Sequence, residues 1–308
     1  MQFIDAATVH AALPFAQLIP TLREAFAAPC QVPLRHTHAV GERFTSLIMP
    51  AWTARHYGVK IINIAPGNAA LGLPGLHASY LLHDAATGVP LALLDGDAIT
   101  ARRTVAAAAL AASYLARTDA QHLLVVGAGR LARLLPAAFA AVRPIRRVTV
   151  WARSAPQAVA LAASLRADGF DALAAHDLAQ ACASADIVSC ATLATAPVVQ
   201  GAWLAPGSHL DLIGSFSPQM RETDDACFAG ASVYIDTREA LQKSGDLLGP
   251  LARGVFRAED VRGTLADLAT GAASGRRTRD ERTVFKAVGT ALEDLAAAVA
   301  VLEAQDKA

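Results

Sequence analysis

The chain has 308 residues, more than one typical hydrophobic core accommodates, so we expect two domains. Hydrophobic residues make up 54% of the chain and charged residues 18%, a composition typical of folded globular proteins and not of disordered ones. The formal net charge is zero, which gives no electrostatic basis for binding nucleic acid or a membrane surface.

The first part of the chain, residues 1–117, predicts an α+β domain with mostly antiparallel strands. A helix is expected over 6–28, although Pro14 and Pro20 interrupt its pattern. Gly/Pro turns separate predicted strands over 32–40, 44–49, 57–64, 78–84 and 91–94. A helix then begins near Asp97 and runs to about Arg117.

From residue 118 the pattern changes to alternating strands and helices. The predicted strands cover 122–126, 147–151, 186–190, 208–213 and 232–235. This alternation indicates an α/β fold with a Rossmann-type, doubly wound parallel sheet over 118–280. The segment 281–303 has the pattern of one long, Ala-rich helix. We expect 281–308 to pack on the first domain, so that the nucleotide domain is an insertion.

A glycine motif follows the first strand of the second domain. It reads Gly127-Ala128-Gly129-Arg130-Leu131-Ala132 and precedes an Ala/Leu-rich stretch. Gly127 allows a tight turn, Gly129 lets backbone N–H groups approach a pyrophosphate, and Ala132 lets the helix pack closely on its strand. The pattern predicts a dinucleotide site. A tight strand-helix turn in another kind of α/β protein is the alternative reading.

The residues after the second parallel strand indicate which dinucleotide binds. They are Trp151-Ala152-Arg153-Ser154. An NAD site offers an acid here for the ribose hydroxyls, whereas Arg153 and Ser154 suit a 2′-phosphate. NADP(H) is therefore favoured and NAD(H) stays possible. Ala191, Thr192 and Ser215 follow later strands at carboxyl ends, where open sheets bind ligands, and are further candidate contacts.

Basic residues of the first domain are candidates for binding an anionic substrate. Lys60 lies in an apolar predicted strand, where a buried ammonium needs a carboxylate partner or a lowered pKa; snorkelling to water is the alternative. Arg102 and Arg103 fall in the first turns of a helix, where a nearby anion would explain them, although one of the two is expected to face solvent. Arg35, in a predicted strand, and His77, after a turn, are weaker candidates.

The cysteines and the N-terminal segment indicate the compartment. The four cysteines are far apart, with no Cys-x-x-Cys pair and no zinc-like histidine spacing, so we expect neither metal nor disulfides. A signal peptide pattern is absent, and no apolar run of 18 or more residues could span a bilayer. We therefore expect a cytoplasmic protein with reduced thiols and no membrane partner.

Several sequence blocks, in order along nearly the whole chain, resemble the ornithine cyclodeaminase and mu-crystallin family. They are residues 47–50, 59–63, 94–104, 126–129, 205–209, 234–239, 244–246 and 283–294. The resemblance implies an enzyme that is a homodimer, with a first domain that dimerises and binds substrate and a Rossmann domain that presents the nicotinamide. It also implies that Lys60, Arg103 and, less surely aligned, Arg35 contact the substrate carboxylate, and that the block around Val284 lies near the nicotinamide.

The chain departs from the cyclodeaminases at one informative position. Their segment resembling Gly-Gly-Asp-x-Pro has an acid that serves the substrate amine, but this chain reads Gly214-Ser-Phe-Ser-Pro218 and has Phe216 in its place. A phenyl ring neither accepts a hydrogen bond from an ammonium nor relays a proton. With Ala152 also replacing an acid, the sequence favours an NAD(P)H-dependent reductase of cyclic ketimine carboxylates in proline metabolism.

The expected substrates are Δ1-pyrroline-2-carboxylate and Δ1-piperideine-2-carboxylate, which would give proline and pipecolate. Lys60, Arg103, Arg35 and His77 would bind the substrate, with Lys60 and Arg103 catalytic and Phe216 as an apolar wall. Three alternatives stay open: ornithine cyclodeaminase, alanine dehydrogenase activity, and a non-catalytic NADP-dependent binding protein.

Overall fold

The computed structural model describes residues 1–306; Lys307 and Ala308, at the end of the predicted segment 281–308, lie outside the described residues. Backbone contacts divide the chain into two compact units. Unit 1 comprises Met1–Thr104 and the C-terminal segment from Thr290, and unit 2 comprises Val105–Gly289. Among the described residues, no helix combines the length and the apolar character that crossing a bilayer requires.

The first 115 residues form a helix pair, a complete six-stranded sheet and a long helix. The elements are β1 (Gln2–Ile4), α1 (Ala6–Ala12), α2 (Phe15–Ala27), β2 (His36–Val40), β3 (Phe44–Trp52), β4 (His56–Ile64), β5 (Leu76–Asp84), β6 (Pro90–Asp95) and α3 (Gly96–Leu115). The strand order is β1-β6-β5-β4-β3-β2, antiparallel except for the parallel pair β1 and β6. The predicted antiparallel α+β architecture is therefore confirmed.

Unit 2 contains an eight-stranded sheet. Its elements after α3 are β7 (His122–Val126), α4 (Arg130–Ala140), β8 (Arg147–Trp151), α5 (Ala155–Ala167), β9 (Asp171–Ala174), α6 (Leu178–Ser184), β10 (Ile187–Cys190), β11 (His209–Leu212), β12 (Ser232–Ile235), α7 (Ala240–Lys243), α8 (Gly245–Ala252), β13 (Gly263–Thr264), α9 (Leu265–Thr270) and β14 (Thr283–Lys286). The last helix of the chain, α10 (Ala291–Gln305), belongs to unit 1.

All pairs in the sheet of unit 2 are parallel, in the order β13-β12-β14-β11-β10-β7-β8-β9. The direction of winding changes between β7 and β10, because the chain first adds strands on one side of β7 and then on the other. This confirms the Rossmann-type, doubly wound fold. The change of direction also identifies the carboxyl ends of β7 and β10 as the place where such sheets bind ligands.

The prediction of a single helix over 281–303 is wrong. Residues Thr283–Lys286 form β14, a fully buried strand between β11 and β12, and α10 begins only at Ala291. Gly289, with a φ of +77°, and the N-cap Thr290 separate the two elements. The short apolar run at β14 was read as part of a helix because strand and helix cannot be told apart by periodicity over four residues.

Smaller boundary errors affect two candidate residues and one helix. The strand predicted over 32–40 begins at His36, which leaves Arg35 in the preceding loop. The strand predicted from residue 78 begins at Leu76, so His77, which was expected between the turn and the strand, lies inside β5. The helix predicted over 6–28 is two helices, because the chain leaves helical geometry at Leu13 and Pro14. Pro14 is the N-cap of α2, a position where its fixed φ is tolerated.

Candidate active site

The glycine turn after β7 has the geometry that its sequence predicts. Gly127 has a φ of +124°, which favours glycine, and a Cβ built there would lie 2.7 Å from the carbonyl oxygen of Ala191. The Ala191 segment follows β10, so the turn and the neighbouring strand end are in close contact. A larger residue at position 127 would separate them.

Gly129 is the N-cap of α4 and has no side-chain cap hydrogen bond. A Cβ at this position would meet no atom within 4 Å, so a ligand can approach the first turn of the helix. That turn, which begins with Arg130 and Leu131, contains no acidic residue, while Ala132 is fully buried. The backbone N–H groups at a helix N-terminus and the helix dipole favour an anion, and the turn fits a dinucleotide pyrophosphate.

In folds of this type, residues directly after the second parallel strand contact the adenosine ribose, and here these residues follow β8. Trp151 and Ala152 are partly buried, and the Arg153 side chain is exposed. Ser154 is the N-cap of α5, and its hydroxyl makes no cap hydrogen bond. A cavity of about 400 Å³ adjoins the glycine turn, with a lining that includes Ala128, Gly129, Arg130, Arg133, Gln157 and Ser164.

Three other predicted cofactor contacts have their side chains engaged within unit 2. The Ser215 hydroxyl is fully buried and donates to the carbonyl oxygen of Met220 at 2.6 Å. Val284 lies in the hydrophobic core between neighbouring strands, away from the carboxyl end of β14. Thr192 donates to Glu222 from both its backbone N–H and its hydroxyl, at 2.8 and 2.9 Å.

A buried polar cluster at the carboxyl edge of this sheet was missed in the sequence. Glu222, Asp246 and Lys286 are each fully buried, and Lys286 Nζ lies 3.6 Å from an Asp246 carboxylate oxygen. Burial raises the pKa of Glu222 to about 7, while the positive charge of Lys286 acts in the opposite direction. The available signal was Lys286 inside the apolar run 283–288, the same kind of signal that identified Lys60.

A second buried cluster, in unit 1, contains two of the predicted substrate-binding residues. Lys60 points from β4 to the inner face of its sheet, the face on which α10 packs. Its Nζ lies 2.6 Å from Asp294 Oδ2, and both side chains are fully buried. Arg103, from α3, donates through Nε to Asp294 Oδ1 at 2.8 Å and through Nη1 to Glu293 Oε2 at 2.6 Å. The fold therefore brings Lys60 and Arg103 to one carboxylate.

The pKa values in this cluster follow from burial and from the neighbouring charges. Burial, together with the positive charge of Arg103, lowers the pKa of Lys60 to about 8, although Asp294 opposes this change. Burial also acts to lower the pKa of Arg103, but the adjacent carboxylates outweigh it and hold that pKa above its ordinary value. Burial would raise the pKa of Asp294, but the two cations lower it below its usual range. Near pH 7, therefore, Lys60 and Arg103 are cations in contact with the Asp294 anion.

Asp294 and Glu293 were not identified as site residues from the sequence. They were noted only as part of a matching block, within a segment read as one continuous helix. The anion expected near Arg103 was a substrate carboxylate, whereas the structure supplies two carboxylates from the first turn of α10. The available signal was an acid pair three and four residues after Thr290, within an otherwise apolar segment.

The remaining candidates do not join this cluster. Arg102 is not directed at solvent: its Nε donates to the Leu13 carbonyl oxygen at 2.9 Å, and its guanidinium lies 3.9 Å from the centre of the Phe15 ring. His77 is exposed and, by the alternation along β5, lies on the sheet face opposite to that of Lys60. Arg35 precedes β2 and is partly buried. Phe216 is partly buried and packs on the hydrophobic core of unit 2.

The fold and the glycine turn define a dinucleotide-binding protein of the Rossmann class. Comparison with known families shows that the chain belongs to the ornithine cyclodeaminase/mu-crystallin family, whose model matches residues 3–308. The sequence resemblance to this family is thereby confirmed.

Similar proteins include reductases and a dehydrogenase. A Δ1-pyrroline-2-carboxylate reductase from Paracoccus denitrificans is 41% identical over 297 residues, which cover 96% of this chain and 94% of that protein. The solved structure of the Thermococcus litoralis Δ1-pyrroline-2-carboxylate reductase in complex with NADH and L-proline is similar, with 31% identity, a TM-score of 0.95 and coverage of 100% and 98%. The solved structure of an archaeal alanine dehydrogenase dimer with bound NAD has 27% identity and a TM-score of 0.94, with coverage of 100% of this chain and 96% of that chain.

Proposed function

We propose that the protein is an NADPH-dependent reductase of cyclic ketimine carboxylates, forming proline from Δ1-pyrroline-2-carboxylate or pipecolate from Δ1-piperideine-2-carboxylate. The observation that carries this proposal is the convergence of Lys60 and Arg103 on one carboxylate within unit 1. Two cations held at this spacing suit a planar substrate carboxylate. The Paracoccus and Thermococcus reductases, which are similar over almost the whole chain, support the same substrate class.

In the proposed reaction, Arg103 holds the substrate carboxylate and Lys60 orients it and supplies the proton. The known contacts of Arg103 with Asp294 and Glu293 use Nε and Nη1, so Nη2 is the donor that we assign to the substrate. Bound NADPH supplies the hydride that the imine carbon takes up. Lys60 then gives a proton to the ring nitrogen, which completes the reduction of the C=N bond. Fixed orientation of a rigid, planar imine accounts for much of the rate.

Phe216 supports a reductase over a cyclodeaminase. Its ring packs against apolar side chains of unit 2, and no carboxylate replaces the missing acid at this position. Release of ammonia from ornithine needs a group that takes up an amine proton, which a phenyl ring lacks. Reduction of a ring imine has no such step, so an apolar side chain is compatible with it.

The decisive test of this function is NADPH oxidation, followed at 340 nm with each imine. We expect turnover with at least one of them and no proline from ornithine in the absence of a reductant. Lys60→Ala should abolish turnover while the NADPH dissociation constant stays within about twofold. Turnover of neither imine, or ammonia release from ornithine with co-purified NAD, would refute the proposal; equal loss of turnover and of NADPH binding would refute the role of Lys60.

We also propose a preference for NADP(H) over NAD(H). Arg153 is exposed in the segment after β8, and the hydroxyl of the N-cap residue Ser154 makes no cap hydrogen bond. Ala152 provides no acid for the ribose hydroxyls. Arg153→Ala should weaken NADPH binding about tenfold and leave NADH binding nearly unchanged, because only the 2′-phosphate contact is lost. Arg147→Ala, at the other end of the same strand, is the matched control. A preference for NADH in the wild-type protein would contradict this proposal.

The quaternary structure and location belong to the same proposal: a cytoplasmic homodimer in which unit 1 binds substrate and forms the interface. The outer face of the unit 1 sheet is unusually apolar. Trp52, Tyr57 and Ile61 are 36%, 36% and 41% exposed on it. Phe3, also on this face by its pairing with Leu93, is 76% exposed. An apolar surface of this kind is typical of interfaces, and the similar archaeal alanine dehydrogenase is described as a dimer.

A further inference from the structure

The side chain of Glu222 joins two loops at the carboxyl edge of the Rossmann sheet. One carboxylate oxygen, Oε1, accepts from the backbone N–H and the hydroxyl of Thr192, at 2.8 and 2.9 Å. The other, Oε2, accepts from the backbone N–H of Gly214 at 2.8 Å. Thr192 follows β10 and Gly214 follows β11, so one carboxylate fixes the spacing of the segments after two neighbouring strands.

The packing around Gly214 confirms how closely these segments approach. A Cβ at Gly214 would lie 2.2 Å from the Thr192 carbonyl oxygen and 2.3 Å from Glu222 Oε1. Only a residue without a side chain fits there. The Thr192 segment also adjoins the glycine turn, because a Cβ at Gly127 would lie 3.6 Å from the Thr192 methyl carbon. The position of the Glu222 carboxylate is thus coupled, through Thr192, to the pyrophosphate turn.

Glu222 is itself held from the opposite side by Asp246. Asp246 Oδ1 accepts from the backbone N–H groups of Glu222 and Thr223, at 2.8 and 3.1 Å, and from the Thr223 hydroxyl at 3.1 Å. Lys286 lies 3.6 Å from the other Asp246 oxygen and offsets part of the negative charge. All of these side chains are fully buried, so the arrangement is rigid and shielded from water.

The two loops lie on the side of the sheet that serves the second half of a dinucleotide. Winding reverses between β7 and β10, the glycine turn after β7 fits the pyrophosphate, and the residues after β8 select the adenosine ribose. The nicotinamide half therefore belongs over the carboxyl ends of β10 and β11. We propose that Glu222 is a positioning residue, which holds the Thr192 and Gly214 loops at the spacing that the nicotinamide half of the cofactor requires.

This proposal rests on dinucleotide binding and not on the identity of the substrate, so binding measurements test it independently of turnover. In Glu222→Gln one oxygen becomes an NH₂ group, which must then face the N–H of Thr192 or of Gly214. A buried donor is left without an acceptor, and the loop spacing must change. We expect the NADPH dissociation constant to rise about tenfold or more, while that of 2′,5′-ADP, which carries only the adenosine half, stays within about twofold.

Two further variants make the test specific. Asp211→Asn is the matched control, since Asp211 on β11 is as fully buried as Glu222. In the wild-type protein the Ser189 hydroxyl donates to Asp211 Oδ2 at 2.5 Å, and the amide oxygen of asparagine can accept the same hydrogen bond. The dissociation constants of NADPH and of 2′,5′-ADP should both be unchanged. Thr192→Val removes one hydroxyl donor to Glu222 and should weaken NADPH about threefold, again without affecting 2′,5′-ADP. This second variant keeps the proposal testable if Glu222→Gln folds poorly. Equal weakening of NADPH and 2′,5′-ADP, or no weakening of NADPH, would overturn the proposal.

Discussion

Asp294 is the residue that allows two cations to be buried side by side. An isolated ammonium or guanidinium in the protein interior costs several kcal/mol, and the cost falls only when a carboxylate is in direct contact. Asp294 contacts Lys60 with one oxygen and Arg103 with the other, and Glu293 contacts Arg103 as well. The two acids hold both cations in fixed positions, which in the proposed function are the positions that meet the substrate carboxylate.

The lowered pKa of Lys60 leads to a prediction about pH. Its pKa of about 8 lies below the ordinary 10.5, so the folded protein loses this proton as the pH rises through 8. If Lys60 supplies the proton, kcat/KM for imine reduction should fall above about pH 8, and pH–rate profiles would measure this. An unfolded chain keeps the proton up to about pH 10.5, so this group adds stability as the pH rises through that window.

Lys60→Arg is the control for this assignment, because a guanidinium stays protonated throughout the range. The alkaline limb should disappear in the variant even if its overall rate is lower. Thermal melting would establish that the variant is folded at each pH. An unchanged limb near pH 8 in Lys60→Arg would assign the titration to a different group.

Removal of the charge on Asp294 should destabilise the fold strongly. Asp294→Asn leaves Lys60 and Arg103 buried with only Glu293 to compensate them, and a broken buried ion pair costs about 3–5 kcal/mol. Urea denaturation would measure the change in the free energy of unfolding. Asp168→Asn is the control: Asp168 is 48% exposed and lies 3.5 Å from Arg133, so the expected loss is below about 1 kcal/mol. Similar losses in both variants would contradict this account of the cluster.

At the scale of elements, β7, the glycine turn and α4 form a unit in which two glycines have different tasks. Gly127 is required by the backbone, because of its positive φ and its contact with the Ala191 carbonyl oxygen. Gly129 has ordinary backbone geometry, with a φ of −83°, and open space in front of it. We therefore expect its lack of a side chain to serve the approach of a ligand and not the fold.

This difference can be measured with two alanine variants. Gly129→Ala should keep the melting temperature within about 2 °C but weaken NADPH binding about tenfold or more, since the new methyl group stands in the path of the pyrophosphate. Gly127→Ala should lower both the melting temperature and the affinity, because the strand ends must move apart. Fluorescence titration and thermal melting would give the two quantities. A Gly129→Ala variant that binds NADPH normally would remove the assignment of this helix N-terminus to the phosphates.

At the scale of the whole molecule, the outer face of the unit 1 sheet is the apolar surface on which the proposed dimer depends. One row across it joins Phe3, Leu93, Leu81, Val59 and Pro50 through the strand register. A second row contains Trp52 and Tyr57, with the ring of His83 5.4 Å from that of Tyr57. The inner face of the same sheet is covered by α10, so the two faces have different roles.

If this face is the dimer interface, a charge placed on it should separate the subunits. Ile61→Asp should shift the protein from dimer to monomer in light scattering coupled to size exclusion, because an unpaired carboxylate would be buried. Leu173→Asp, on the edge strand β9 and 56% exposed, is the matched control and should leave the dimer intact. A wild-type protein that is monomeric, or a dimer that tolerates Ile61→Asp, would refute the proposed interface.

The sequence alone determined the features that depend on local pattern. The turn at Gly127 to Ala132 and the parallel strands around it follow from residue type and spacing over a few positions. The antiparallel sheet of unit 1 was also predictable, because its strands are long and separated by Gly/Pro turns.

Only the tertiary structure decided which charged groups meet. Asp294 lies 191 residues from Arg103 along the chain, and Glu222 lies 30 residues from Thr192 and 24 from Asp246. A four-residue segment such as β14 is too short for its periodicity to distinguish a strand from a helix. It forms a strand because it pairs with β11 on one side and with β12 on the other. The identity of a buried ion's partner is set by the packing of distant elements, since the free energy of burial depends on all neighbours together and not on local spacing.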